Sequence, residues 1–226
     1  MGRYDVRVGV EGEYEPGSRG RVLRNLRGIK SKREMDQAEA DSFLRVQQHY
    51  ISVVTQRTVF TAAVVCQMHR DWLGEIYEWA GNYRTVEMSK GGFTWPPAHL
   101  IQQNMEAFER VVLRSLTPCS AGPIEEIAGA MAKVQAEFLL VHPFREGNGR
   151  MSRWTTNLMA LQAGYPELDY GFTGRGKARN SSEYLDGVVR GYGGDYERLA
   201  RFLADALRRG VFRVGGGSLT PRAPSK

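Results

Sequence analysis

The chain has 226 residues, 42% of them apolar, and a formal net charge of +6 at pH 7, so it can bury a sizeable core in one or two domains and accommodate a polyanionic partner without requiring one. Its two cysteines, Cys66 and Cys119, lack metal-ligand spacing and imply no disulfide framework. The sequence contains neither a signal-peptide core nor an apolar run long enough to span a bilayer, so a cytoplasmic protein with no membrane partner is expected.

The N-terminal half is predicted to begin with a loose arm and to continue as helix. Residues 1–13 are polar and form the arm. Charged and apolar residues then recur at three-to-four spacing over 31–54, which indicates an amphipathic helix. A second helix is predicted over 58–81, with Gly81 at its end.

One segment carries a clear strand signal. In NYRTVEMSKGGFTW, two extended runs flank Lys90, Gly91 and Gly92, and a Gly-Gly pair favours a tight hairpin turn. Because a single hairpin is marginal in water, it must lie on the helical body, over a groove. The fold class is therefore predicted to be all-α with one β-hairpin.

Helical periodicity dominates the remainder of the chain. The last helix is expected to be capped by Asp195 and to end at Gly210. Residues 211–226 are small, basic and proline-containing, and are predicted to be a flexible tail. The further helices are predicted over 98–116, 124–141, 149–164, 181–191 and 195–210.

The stretch VHPFREGNGRMSR concentrates unusual residues between two apolar helices. A proline stops the helix that delivers His142, and the next helix begins near Asn148. Glycine lets the backbone approach a ligand closely, and the free N–H groups of a helix N-terminus attract anions. Gly147, Asn148 and Gly149 are therefore predicted to line an anion site.

The charged residues of this stretch fit a bound polyphosphate. Arg150 and Arg153 share a helix face, where two cations at an N-terminus cost a few tenths of a kcal/mol unless an anion offsets them. Glu146 beside an anion site implies an intervening cation, and Mg²⁺ takes one or two carboxylates together with phosphate oxygens. His142 could then deprotonate an incoming hydroxyl. A histidine at a helix end, a Gly-Asn-Gly turn or a pair of arginines is commonly structural when it occurs alone. Their occurrence together within a few residues favours a catalytic nucleotide-binding site.

The stretch 142–153 resembles the signature of the Fic family, HxFx(D/E)GNGRxxR, at every defining position. The resemblance covers residues 14–210. It implies a Fic-type helical bundle with the hairpin as a flap over the active site. Three other segments are similar to the family's entry segment, flap and closing helices: VLRNLRGIKSKREMDQAEA, IYEWAGNYRTVEMSKGGFTW and EYLDGVVRGYGGDYERLARFL.

The resemblance implies a protein adenylyltransferase, which moves AMP from ATP to a Ser, Thr or Tyr hydroxyl of a target protein and releases pyrophosphate. His142 would be the general base, Glu146 the Mg²⁺ ligand and Phe144 an apolar peg that holds the loop. The Asn148 side chain would stabilise charge at the α-phosphate. The phosphate-binding residues implied are Gly147, Asn148, Gly149, Arg150 and Arg153.

Two further parts of the site are implied less directly. The flap residues Lys90, Gly91 and Gly92 could position the target, because a hairpin edge exposes backbone groups to an extended loop; a solvated turn lysine is the alternative. Asn180 and Tyr184 are expected to line the adenine pocket, unless Tyr184 simply packs in the core.

Regulation is expected to come from outside the chain. Many Fic proteins carry an inhibitory (S/T)xxxE(G/N) motif, which this sequence lacks, since Ser31 is followed by Glu34 at the wrong spacing. The chain thus resembles toxins whose small antitoxin inserts a glutamate, here near Arg153, in a groove that includes part of the 34–54 helix.

Other functions stay open at this point. The donor could supply UMP, GMP or phosphocholine instead of AMP. Phosphotransfer, as in Doc-like proteins, is disfavoured by Gly149, where those proteins have lysine. A catalytically idle basic binding module is the alternative from another class, although nucleic acid is an unlikely partner. Translocation into a host cell as an effector is an alternative to a cytoplasmic location.

Overall fold

The computed structural model describes residues 5–7, 10–174 and 176–215, and within these ranges helices dominate. A π-helical segment, Glu109–Leu113, interrupts the predicted 98–116 helix. The all-α class with one hairpin is confirmed. The helices are α1 (Lys32–Val53), α2 (Ala62–Leu73), α3 (Ile101–Phe108), α4 (Arg114–Leu116), α5 (Ile124–Val141), α6 (Asn148–Gln162), α7 (Lys177–Gly191) and α8 (Glu197–Gly215).

Helix α5 lies at the centre and packs against α6, α7 and α8. It begins directly after Pro123, whose fixed φ suits a helix start. Apolar side chains surround most of it, and ten of its residues are buried. The helix ends at His142, which has a left-handed backbone (φ 51°) and is followed by a proline. The packed core therefore delivers this histidine to a fixed place.

A small antiparallel sheet lies beside the bundle. Strand β2 (Glu87–Lys90) pairs with β3 (Phe93–Thr94) across Gly91 and Gly92. Both glycines have positive φ, 57° and 82°, as a primed hairpin turn requires. The other edge of β2 pairs with β1 (Asp5–Arg7). This strand lies within residues 1–13, which were predicted to be a loose arm. The prediction missed it because pairing with a distant strand leaves no signal in the local sequence.

Four helix ends differ from the prediction by four residues or more. Two of them are starts, since α2 begins at Ala62 rather than at residue 58 and α7 at Lys177 rather than at residue 181. Helix α2 stops at Leu73 rather than Gly81, because the following turns fold back and the Gly81 N–H donates to His69 Nδ1 (2.9 Å). Helix α8 continues through Gly210 to Gly215, so the predicted tail begins as helix; residues 216–226 lie outside the described ranges. No helix in the described ranges is both long and apolar enough to cross a membrane.

Candidate active site

His142 is held by contacts to both its backbone and its ring. Its Nδ1 lies 3.1 Å from the carbonyl oxygen of Leu139 in the last turn of α5. Because a carbonyl can only accept, Nδ1 carries the hydrogen, and in the neutral ring the lone pair resides on Nε2. The ring packs against Trp95, with centroids 4.0 Å apart. The sequence predicted the histidine but not this tryptophan.

The loop between α5 and α6 is closed by Asn148. Its Oδ1 accepts from Phe144 N (3.0 Å) and its Nδ2 donates to Phe144 O (2.7 Å). Asn148 is fully buried, and so is Phe144. The amide thus shapes the loop through both of its polar atoms, and the predicted role of Asn148 in stabilising charge on a phosphate stays a prediction. Phe144 fills the core position expected of a peg.

A buried histidine that sequence reasoning missed supports the same loop. The His69 ring stacks on Phe144 (centroids 3.8 Å apart, planes at 7°). Its Nδ1 accepts from Gly81 N–H, so its Nε2 donates to Glu146 O at 3.1 Å. Burial lowers the pKa of His69 to about 3, so the ring stays neutral. The only sequence signal was its place on the apolar face of α2.

Glycine is required at position 147 for two reasons. Its φ is 86°, in the left-handed region, and an added Cβ would lie 2.7 Å from the Trp72 ring. At Gly149, among the described residues and apart from the backbone of α6, an added Cβ would have one neighbour within 4 Å, Arg153 Nη1 at 3.5 Å. The space beside Gly149 is therefore wide enough for a side chain or for a ligand, at the first turn of α6.

Glu146 offers one carboxylate next to this turn. Its Oε1 accepts from Gly147 N (3.1 Å) and lies 3.7 Å from Arg150 Nη2. Among the described residues, no group of three or more His, Cys, Asp or Glu side chains could hold a metal. A single carboxylate fits Mg²⁺ that arrives with its nucleotide, since this ion commonly takes one protein carboxylate and completes its shell with phosphate and water.

The two motif arginines have different surroundings. Arg150 Nη2 pairs with Glu39 Oε2 of α1 at 2.6 Å, and its guanidinium lies 4.4 Å from the Trp72 ring centroid. Glu39 in turn accepts from the Tyr77 hydroxyl (2.7 Å). In the described ranges Arg153 forms no such ion pair and lies over Phe172, 5.6 Å from the ring centroid. Sequence reasoning missed Glu39, whose role needs the packing of α1 on α6.

A cavity of about 510 Å³ opens beside these residues. Glu146 and Arg150 line it from the motif, and Glu39 and Asp36 line it from α1. Its further cationic walls are Arg21, Lys32 and Arg145. The volume is within the range of small-molecule sites. His142, Gly149 and Arg153 are not among its lining residues, so the cavity borders the motif loop on the side of Glu146 and Arg150.

The residues predicted to contact adenine lie apart from this cavity. Tyr184 is buried, and its hydroxyl donates to Gln135 Oε1 (2.9 Å), which matches the alternative of core packing. Burial raises the pKa of its phenol, and the charge of Arg153 opposes that rise. Asn180 Nδ2 donates to Gly171 O (3.0 Å). Both residues belong to α7, which reaches the second motif arginine.

Arg84 connects the flap to the motif loop, and sequence reasoning missed it. Its guanidinium donates to His142 O (2.8 Å), Val86 O (2.7 Å) and Pro96 O (2.7 Å). The side chain is buried, and desolvation lowers its pKa. Three carbonyl oxygens stabilise the buried charge of the guanidinium. The same hydrogen bonds connect the base of the hairpin to the backbone of His142.

The flap turn itself is exposed. Lys90, Gly91 and Gly92 lie at the tip of the hairpin. Since β1 and β3 occupy both edges of β2, any further strand would have to join at the outer edge of β1 or β3.

Comparison with known proteins gives a consistent result. Residues 59–160 match the family described as the Fic/DOC family. The chain is 28% identical over 181 residues to the "Probable protein adenylyltransferase y4lH" of Sinorhizobium fredii, covering 79% of this chain and 88% of that protein. It is 26% identical over 204 residues to the "Protein adenylyltransferase Fic" of Drosophila persimilis, covering 89% of this chain but 38% of that longer protein.

Solved structures share the fold. The BepC effector protein of Bartonella tribocorum, with bound AMPPNP, superposes with a TM-score of 0.66 at 20% identity, over 81% of this chain and 91% of that one. The N-terminal Fic domain of a Bartonella quintana effector, with bound ADP, superposes with a TM-score of 0.64 at 21% identity, over 81% of this chain and 89% of that one.

Proposed function

This chain carries a domain of the Fic/DOC family at residues 59–160, and we propose that it is a protein adenylyltransferase. It transfers AMP from ATP to a Ser, Thr or Tyr hydroxyl of a target protein. The observation that carries this proposal is the contact between His142 Nδ1 and Leu139 O (3.1 Å) at the end of α5, six residues before the first turn of α6. The names of its relatives support the same activity.

His142 acts as the general base. Its Nδ1–H is held by Leu139 O, so Nε2 accepts the proton of the target hydroxyl. The hydroxyl oxygen then bonds to the α-phosphorus, and the bond from that phosphorus to the oxygen bridging the α- and β-phosphates breaks. Pyrophosphate leaves with the bond's electron pair. A placed base of this kind contributes about 10²- to 10⁴-fold to the rate.

The first turn of α6 binds the phosphates. The backbone N–H groups near Gly149 point out of the helix N-terminus, where the dipole favours anions. Arg153 adds a cation that no described carboxylate neutralises, while Arg150 forms the wall shared with Glu39. Glu146 would hold Mg²⁺, which supplies charge neutralisation at the departing pyrophosphate.

The test is a comparison of two labelled forms of ATP. The purified chain is incubated with Mg²⁺ and cell extract, with the label on either the α- or the γ-phosphate. Protein-bound α-label that requires His142, and is lost in His142→Ala, supports AMP transfer. Retained γ-label would mean phosphotransfer, and no transfer from ATP, UTP, GTP or CDP-choline would favour a binding module.

A toxin role with a separate inhibitor forms part of the proposal. A partner helix would place a glutamate near Arg153, the motif arginine without a described ion-pair partner. The purified chain should then be active by itself. A silent full-length chain that gains activity only after its own ends are truncated would contradict this arrangement.

A further inference from the structure

The indole of Trp95 lies directly against the imidazole of His142. The ring centroids are 4.0 Å apart and the planes are tilted by 32°. Both residues are buried. Trp95 follows β3, and its backbone N–H donates to Met88 O (3.1 Å), so the hairpin sets its position.

The two rings also share a hydrogen-bond acceptor. Trp95 Nε1 donates to Leu139 O at 2.9 Å, and His142 Nδ1 lies 3.1 Å from the same oxygen. Carbonyls in the last turn of a helix have no intrahelical partner, so this oxygen is available to side chains. The indole therefore contacts both the acceptor and the ring face of His142.

Phe93 packs against Trp95 and links it to a further aromatic side chain. The Phe93 ring lies 5.4 Å from that of Trp95 and 5.0 Å from that of Tyr192. The Tyr192 hydroxyl donates to Leu139 O at 3.4 Å. Side chains from the flap and from the end of α7 thus lie around the Leu139 carbonyl and the His142 imidazole at the end of α5.

We propose that Trp95 is a positioning residue for His142, which holds the imidazole in the Nδ1–H tautomer with Nε2 directed at the incoming hydroxyl. The proposal rests on the proposed function for its role in catalysis. The hydrogen bond to Leu139 O holds one edge of the imidazole, and the indole packs against its face, so the two contacts together restrict rotation of the ring. Its face also stabilises the imidazolium that forms when the ring takes the proton.

The kinetic test uses two variants. Trp95→Leu removes both the stacked face and the Nε1–H donor, and Trp95→Phe removes only the donor. We expect Trp95→Leu to lower kcat by about 10- to 100-fold, as small misplacements of a catalytic group do, while the KM for ATP changes less than twofold. Trp95→Phe should retain more activity than Trp95→Leu. A Trp95→Leu enzyme with kcat within twofold of the wild type would overturn the proposal.

A spectroscopic test does not depend on turnover. In protein labelled with ¹⁵N-histidine, long-range ¹H–¹⁵N spectra distinguish the two tautomers. His142 should show the Nδ1–H pattern, and His69, whose Nδ1 accepts from Gly81 N–H, should show the opposite one. His69 therefore serves as an internal control for an intact loop.

In Trp95→Leu the His142 pattern should be lost or averaged while that of His69 persists. An unchanged His142 pattern would contradict the proposal, and so would loss of both patterns, since Trp95 would then support the whole loop. If the wild type transfers no AMP, the proposed function fails, but this comparison of tautomers still decides the role of Trp95.

Discussion

At the scale of single residues, the motif glycines separate structure from ligand binding. Gly147→Ala should destabilise the protein by about 1–3 kcal/mol, because alanine is strained at positive φ and its Cβ meets Trp72 at 2.7 Å. Gly149→Ala has room for its Cβ and lies in a helix, so it should keep or gain about 0.5–1 kcal/mol.

Chemical denaturation and AMP transfer, measured on both variants, check this contrast. If Gly149 borders the phosphates, Gly149→Ala will be stable yet inactive. Full activity of a stable Gly149→Ala enzyme would show that the phosphates do not bind at this turn.

His69 predicts a pH dependence of stability. Its folded-state pKa of about 3 lies below the ordinary 6.5, so the unfolded chain binds the extra proton between these values. The stabilisation that the neutral His69 ring gives the folded state is therefore complete above pH 6.5, and it is lost as the pH falls toward 3.

Urea unfolding from pH 7 to pH 4.5 of the wild type and His69→Gln measures this effect. The wild type should lose up to about 1.4 kcal/mol more per pH unit than the variant below pH 6, which is the slope of one proton. Parallel curves would show that His69 does not resist protonation.

At the scale of elements, Arg84 joins the flap to the end of α5. Arg84→Lys keeps the charge but cannot reach three carbonyls with one ammonium group. We expect a loss of about 2 kcal/mol, because buried carbonyls lose their donors, together with a lower kcat through the displaced His142 backbone.

Equilibrium unfolding and kinetics test this prediction against Arg70→Lys. Arg70 makes an exposed contact to Asn82 (3.1 Å), and its substitution should change stability by less than about 0.5 kcal/mol. Equal losses of stability and kcat in Arg84→Lys and Arg70→Lys would show that Arg84 does not connect the flap to His142.

At the scale of the whole molecule, Gly210 shows tertiary packing overriding local preference. Helix propensity alone predicts that Gly210→Ala stabilises α8 by about 1 kcal/mol. An added Cβ would lie 2.3 Å from Glu167 O of the segment before α7. We expect instead a loss of about 1–3 kcal/mol, as overpacking causes.

A thermal or chemical unfolding series gives the sign directly. Gly129 of α5 provides the matched control. It is half-buried, and its added Cβ would meet no described atom within 4 Å outside the helix's own backbone, so Gly129→Ala should stabilise. A stabilised Gly210→Ala protein would mean that α8 packs differently.

The sequence by itself determined the helical class, the hairpin, most helix starts and the residues of the 142–153 stretch. These follow from local periodicity, turn chemistry and a short motif, all of which are written within a few neighbouring residues.

Only the tertiary structure decided which distant side chains support that stretch. Glu39, His69, Arg84 and Trp95 come from three separate parts of the chain, and their roles depend on contacts 47 to 111 residues apart in sequence, where no periodic signal exists. The same reason explains the pairing of β1, the passage of α8 through Gly210 and the burial of Asn148 and Tyr184. Close packing, which joins surfaces irrespective of their distance along the chain, fixed each of them.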